Sequence, residues 1–146
     1  MKRHPSLTPL SREHHGALIL ARLLQKDAPL YKGLPADDAG KAEYALNFYK
    51  DELAGHFMDE EKILPLVKGI SSELDRLADS IVEEHEILRL HFGAIPGRTN
   101  LEDHLDILGK ALESHVRKEE RQLFPLIQDS CTEEVLFRIE RILSEN

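Results

Sequence analysis

His56-Phe57-Met58-Asp59-Glu60-Glu61-Lys62-Ile63-Leu64-Pro65-Leu66 returns later in the chain as His115-Val116-Arg117-Lys118-Glu119-Glu120-Arg121-Gln122-Leu123-Phe124-Pro125-Leu126. The shared pattern is His-x-x-x-Glu-Glu-basic-x-Leu followed by Pro-Leu, with one residue inserted in the second copy. A shorter match joins Glu13-His14-x-x-Ala17-Leu18 to Glu84-His85-x-x-Leu88-Arg89. An internal repeat of this kind reads as a duplicated supersecondary unit. Two helices in each unit would give a bundle with a pseudo-twofold axis passing between two similar half-sites.

Working outward, apolar residues recur at spacings of three and four, the helical period, and few stretches alternate as strands do. Thr8-Pro9 reads as a cap followed by proline at the first helical position, opening a helix that runs to about Lys26. Residues 27–37, with Pro29, Gly33 and Pro35, form a loop. A second helix starts near Asp37-Asp38 and continues to about Val67, with Pro65 bending or ending it and Gly69 breaking the chain. Ser71-Ser72 opens a third helix, to about Ala94, and Pro96-Gly97 makes a turn. Thr99-x-x-Glu102 is a capping-box pattern for a fourth helix ending between Pro125 and Asp129. These four elements predict an all-α, up-down-up-down four-helix bundle in one domain, with a core over about residues 7–128. A short fifth helix, about 133–144, would lie across the bundle end or form a homodimer contact through Val135, Leu136, Ile139, Ile142 and Leu143.

Each long helix aims one histidine along its apolar stripe. His14 lies between Leu10 and Leu18, His85 between Ile81 and Leu88, His56 between Leu53 and Ile63, and His115 between Leu112 and Leu123. Buried polar groups cost a few kcal/mol unless something pairs with them, so these positions need a reason. His56–Glu60 and His115–Glu119 are i, i+4 pairs, on one helix face about 6 Å apart along the axis. Imidazole suits divalent iron, zinc, copper or nickel, and carboxylates can bridge two harder ions. Four histidines and two glutamates are too many for one tetrahedral zinc. They fit two ions of five or six coordination, with positions left for water or a small diatomic molecule. Iron is the expected metal, with manganese or zinc as substitutes.

The order His … His-x-x-x-Glu … His … His-x-x-x-Glu resembles the hemerythrin-like (HHE cation-binding) family over about residues 7–128. The resemblance implies that His14 and His56 bind one iron and His85 and His115 the other. Glu60 and Glu119 would bridge them, with an oxo, hydroxo or water group between the irons. It implies a non-haem di-iron protein that binds or senses dioxygen, nitric oxide or iron. An oxidoreductase acting on peroxide or nitric oxide is the alternative. Oxygen-carrying hemerythrins have a further histidine four residues after the third ligand, where this chain has Arg89. They have an aspartate five residues after the fourth histidine, where this chain has Glu119 at four and Glu120 at five. One nitrogen ligand fewer points away from reversible oxygen carriage and toward sensing or redox turnover.

Other residues carry less. His15 has mostly polar neighbours on its face and reads as a surface residue beside the ligand His14. His91 and His104 read as structural, and His4 as part of a tail. Glu52 and Tyr49 share the His56 face and are secondary candidates for orienting an imidazole; otherwise Glu52, Asp59 and Glu61 read as solvated charges. A metal-free helical interaction module is the third reading.

The composition narrows partners. The 146 residues carry a net charge of −8, which argues against nucleic acid or an anionic membrane as partner. The longest apolar run, Ala17–Ala21, is far short of a span, and no secretory apolar segment precedes the first helix. The single cysteine, Cys131, excludes a disulfide within the chain and a Cys-based metal site, and it fits a reducing, cytoplasmic setting.

Overall fold

The structure, a computed structural model, describes residues 2–145. Five helices account for the fold, and no strand occurs among the described residues. Helix α1 is Thr8–Leu23. Helix α2 runs through Asp38–Phe48, a π-helical turn at Tyr49–Leu53 and Ala54–Ile63, then tightens into a 3-10 turn at Leu64–Val67. Helix α3 is Ser72–Gly93. Helix α4 runs through Leu101–Lys118, a π-helical turn at Glu119–Leu123 and Phe124–Ser130, and α5 is Glu133–Ser144.

The direction of each helix follows from where its apolar residues lie. One apolar cluster holds Ala17 and Leu20 of α1, Phe57 of α2, Leu88 and Phe92 of α3, and Leu105 and Leu112 of α4. A second holds Leu10 of α1, Ile63 of α2, Leu74 and Ile81 of α3, and Leu123 and Phe124 of α4. Along α1 and α3 the chain passes from the second cluster to the first; along α2 and α4 it passes back. The bundle is therefore up-down-up-down, as the sequence predicts. The six histidine and glutamate candidates lie on all four helices at the crossing from one cluster to the other. Helix α5 closes the second cluster's end, burying Leu136 and Ile139.

Local signals set the boundaries, with some departures from the sequence reading. Ser71 Oγ accepts from Leu74 N–H and Thr132 Oγ1 from Val135 N–H, capping α3 and α5. Asp37 Oδ1 accepts from Gly40 N–H at the start of α2. Thr8 is not a cap: its hydroxyl donates to the His4 carbonyl, Leu7 takes the cap position, and α1 ends at Leu23 rather than Lys26. The expected capping box is absent too, because Asn100 precedes α4 and no side chain caps it. Gly69 and Gly97 hold φ of 86° and 84°, the left-handed turns that end α2 and follow α3.

The one-residue insertion between the repeats has a structural counterpart. Phe124 N–H donates to the Glu119 carbonyl, five residues back, where an α-helix would bond four back. The widened turn absorbs Phe124 as an extra residue and lets α4 continue past Pro125 to Ser130. The first repeat has no extra residue before Pro65, and α2 ends instead.

Candidate metal centre

All six candidates, His14, His56, Glu60, His85, His115 and Glu119, are buried, none more than 3 % exposed. They form two groups that share both carboxylates: His14, His56, Glu60 and Glu119, and Glu60, His85, His115 and Glu119. Within each group one ligand atom from every residue lies within 4.8 Å of the others. His14 Nε2 is 2.9 Å from Glu119 Oε1, and His85 Nε2 is 2.9 Å from Glu60 Oε1. His56 Nε2 is 3.4 Å from Glu60 Oε2, and His115 Nε2 is 3.4 Å from Glu119 Oε1. Each carboxylate thus touches a histidine of both groups, the arrangement a bridging ligand requires.

The outward nitrogens are all engaged. His14 Nδ1 lies 2.7 Å from Glu120 Oε2, and His85 Nδ1 lies 2.7 Å from Glu61 Oε2. His56 Nδ1 and His115 Nδ1 each lie 2.8 Å from a carboxylate oxygen, of Glu13 and of Glu84. A carboxylate can only accept, so each Nδ1 carries the proton. In the neutral imidazole that leaves the Nε2 lone pair pointing inward, the tautomer a metal ligand needs.

Four buried atoms at the centre have no hydrogen-bond partner: His56 Nε2, His115 Nε2, Glu60 Oε2 and Glu119 Oε2. Leaving buried polar atoms unpaired costs about 1–3 kcal/mol each. The unpaired atoms are nitrogen and carboxylate oxygen, the donor types that suit iron, manganese or zinc. The residues therefore fit a metal pair.

Ionisation follows from crowding. Burial opposes charge on Glu60, but the charge of the neighbouring imidazoles, His56 foremost, outweighs it and holds its carboxyl well below the usual range. Burial and the facing Glu60 carboxylate push Glu119 well above it. Without metal the two carboxyls share one charge, since like charges this close cannot both ionise readily. For His56, burial opposes protonation, yet Glu60 and Glu13 raise it to about 10. His115 is lowered, chiefly by burial. Glu120 lies near 2: burial is outweighed by its bonds with His14 and Ser11.

Further residues hold this outer layer. Arg89 donates to both oxygens of Glu61, at 2.9 and 3.0 Å, so it turns away from the centre and supplies no ligand there. Arg3 donates to Glu120 Oε1 at 3.0 Å and to the Glu120 carbonyl, and Lys118 Nζ donates to Glu84 Oε2 at 2.8 Å. Phe57 stacks on His85 with ring centres 4.3 Å apart, and Phe124 on His14 at 5.6 Å.

The sequence reading missed Glu13, Glu84, Glu61 and Glu120 as partners of the imidazoles, and it took Glu61 for a solvated charge. The signal was present: all four stand beside a candidate ligand within the repeated Glu-His and Glu-Glu doublets. His15 and Glu52 are exposed, and Tyr49 stacks on Phe92 at 4.8 Å. His104 is structural, its Nε2 donating to the His91 carbonyl at 2.7 Å. His4 is no loose tail: its amide donates to Gln128 Oε1 and its Nδ1 lies 2.8 Å from Ser6 Oγ. Cys131 is a half-buried thiol whose pKa burial raises.

A four-helix bundle with a duplicated, carboxylate-backed histidine cluster across its core defines a class of cation-binding helical proteins. The hemerythrin HHE cation-binding domain matches residues 7–127, and the chain belongs to that family. No curated protein and no solved structure matches the chain. No helix among the described residues is long and apolar enough to cross a membrane.

Proposed function

We propose that this chain is a non-haem di-iron protein that binds or senses dioxygen, nitric oxide or iron. His14 and His56 hold one iron, His85 and His115 the other, and Glu60 and Glu119 bridge them. The observation that carries the reading is the set of four unpaired buried atoms, His56 Nε2, His115 Nε2, Glu60 Oε2 and Glu119 Oε2, converging where two polar half-sites meet. When bound, the iron pair supplies reversible redox chemistry and open positions for a small ligand. The chain's own part is to orient the imidazoles through Glu13, Glu61, Glu84 and Glu120 and to exclude bulk water with the Phe57 and Phe124 rings. Arg89 stands where oxygen carriers have another ligand and is committed to Glu61. That commitment leaves each half-site two histidines and favours sensing or redox turnover over reversible carriage. The single Cys131 is in keeping with a cytoplasmic setting.

Elemental analysis after anaerobic reconstitution with Fe(II) tests this directly, together with an absorption spectrum before and after azide. Close to two irons per chain and an azide-dependent spectrum are expected. His15→Ala should keep both, whereas His14→Ala should lose iron. A well-folded wild-type protein that takes up no iron would overturn the proposal.

A further inference from the structure

We propose that the two half-sites hold a divalent cation unequally, the His14–His56 half taking the first ion and the His85–His115 half the second. The difference comes from one position in the repeat, three residues after the second histidine, which is Asp59 in one copy and Lys118 in the other. The inference rests on the reading that these six residues bind metal.

The half-sites are matched in most respects. His14 is backed by Glu120 and then Arg3, and His85 by Glu61 and then Arg89, one guanidinium each. The two arginines even occupy similar places, Arg3 over the Phe124 ring at 5.4 Å and Arg89 over the Phe57 ring at 5.7 Å. They reach those places from unrelated parts of the chain, because the repeat position of Arg89 is Leu18 in the first copy.

The match fails at the other pair of histidines. Glu84 gives one oxygen to His115 Nδ1 and the other to the Lys118 ammonium, both at 2.8 Å. The ammonium takes part of the carboxylate's charge, so less reaches the imidazole. Glu13 backs His56 through one oxygen at 2.8 Å, and the residue on α2 that corresponds to Lys118 is the acidic Asp59. Asp59 lies 3.9 Å from the Lys62 ammonium on its own helix and faces Glu13 and His56. The change from Lys118 to Asp59 is two charge units at corresponding positions of the repeat. A more negative surround attracts a dication, and a carboxylate free of an ammonium makes its imidazole the stronger donor.

Stepwise titration of the metal-free protein with Co(II), followed by visible absorption and by calorimetry, tests this. Two adjacent ions repel each other, so two unequal steps in the wild type do not decide the matter; variants that keep one half do. His85→Gln, which keeps the His14–His56 half, should bind its ion about 10-fold or more tightly than His14→Gln, which keeps the other. Lys118→Met should tighten binding several-fold in the His14→Gln background. Asp59→Asn should weaken it in the His85→Gln background. Should a histidine variant fail to fold, the charge variants in the full chain still decide, because each should bring the two steps closer together. Equal affinities, the reverse order, or steps indifferent to both charge changes would overturn the inference while leaving the metal site standing. A wild-type chain that folds and binds no ion would overturn the function proposed for it.

Discussion

Replacing Glu119 by glutamine should raise the stability of the metal-free protein and lower that of the metal-loaded one. In the metal-free chain Glu119 is fully buried, its carboxyl pushed up by burial and by the facing Glu60, with Glu119 Oε2 and Glu60 Oε2 both unpartnered. A glutamine has nearly the same shape. Its amide carries two N–H donors, one for the His14 Nε2 lone pair that faces Oε1 and one toward Glu60, with no proton to be taken up. One recovered hydrogen bond contributes about 1 kcal/mol. For a chain of this size that raises the melting temperature by about 2–4 °C. With metal the sign reverses, because Glu119 belongs to both groups of ligands. An ion present at about 100 times its Kd stabilises the fold by about 2.7 kcal/mol, and a 100-fold loss of affinity removes most of that. Two ions weakened in this way correspond to a fall on the order of 10 °C. Melting curves followed by circular dichroism, with chelator and with anaerobic Fe(II), measure both arms. The reasoning is refuted if Glu119→Gln keeps the full metal-dependent rise, or if the chelated variant melts well below the chelated wild type.

Two further outcomes test the scaffold. At Gly109 the backbone of α4 packs tightly on α1: a Cβ there would meet the Ala21 carbonyl at 2.5 Å and Leu24 Cβ at 3.0 Å. Alanine's helix propensity favours Gly109→Ala by up to about 1 kcal/mol, but overpacking against backbone costs about 1–3 kcal/mol, so denaturant unfolding should show a net loss. Asp106 accepts from the Lys26 amide and from Lys110, and these contacts lower its pKa. A lowered carboxylate stabilises the fold above its unfolded pKa and loses that contribution as pH falls through the folded value. Asp106→Asn should therefore melt below wild type at pH 6, with the gap closing below about pH 4; a gap independent of pH would show that the charge contributes nothing.

The helices and the six central side chains were legible because they depend on local periodicity. A residue four places along a helix shares its face whatever the rest of the chain does, so His56–Glu60 and His115–Glu119 could be placed by counting. Choosing His14 over His15 used the same rule, and burial of one and exposure of the other agree with it. The layer behind the ligands was a different matter. Glu120 of α4 backs a histidine of α1, Glu61 of α2 one of α3, and Arg3 reaches Glu120 from ahead of the first helix. Each pairing depends on how far one helix is slid and turned against another, which no spacing within a helix records. The π-helical turn in α4 is intermediate: the sequence showed an inserted residue, but only packing shows that the helix widens around it and continues past Pro125. The order of side chains along each helix was enough to place four amphipathic helices and six inward-facing histidines and glutamates, since both need nothing beyond one helix. Which carboxylate holds which imidazole, and that the Lys118 ammonium reaches the Glu84 carboxylate, came only from the packed bundle, since these follow from distances between helices.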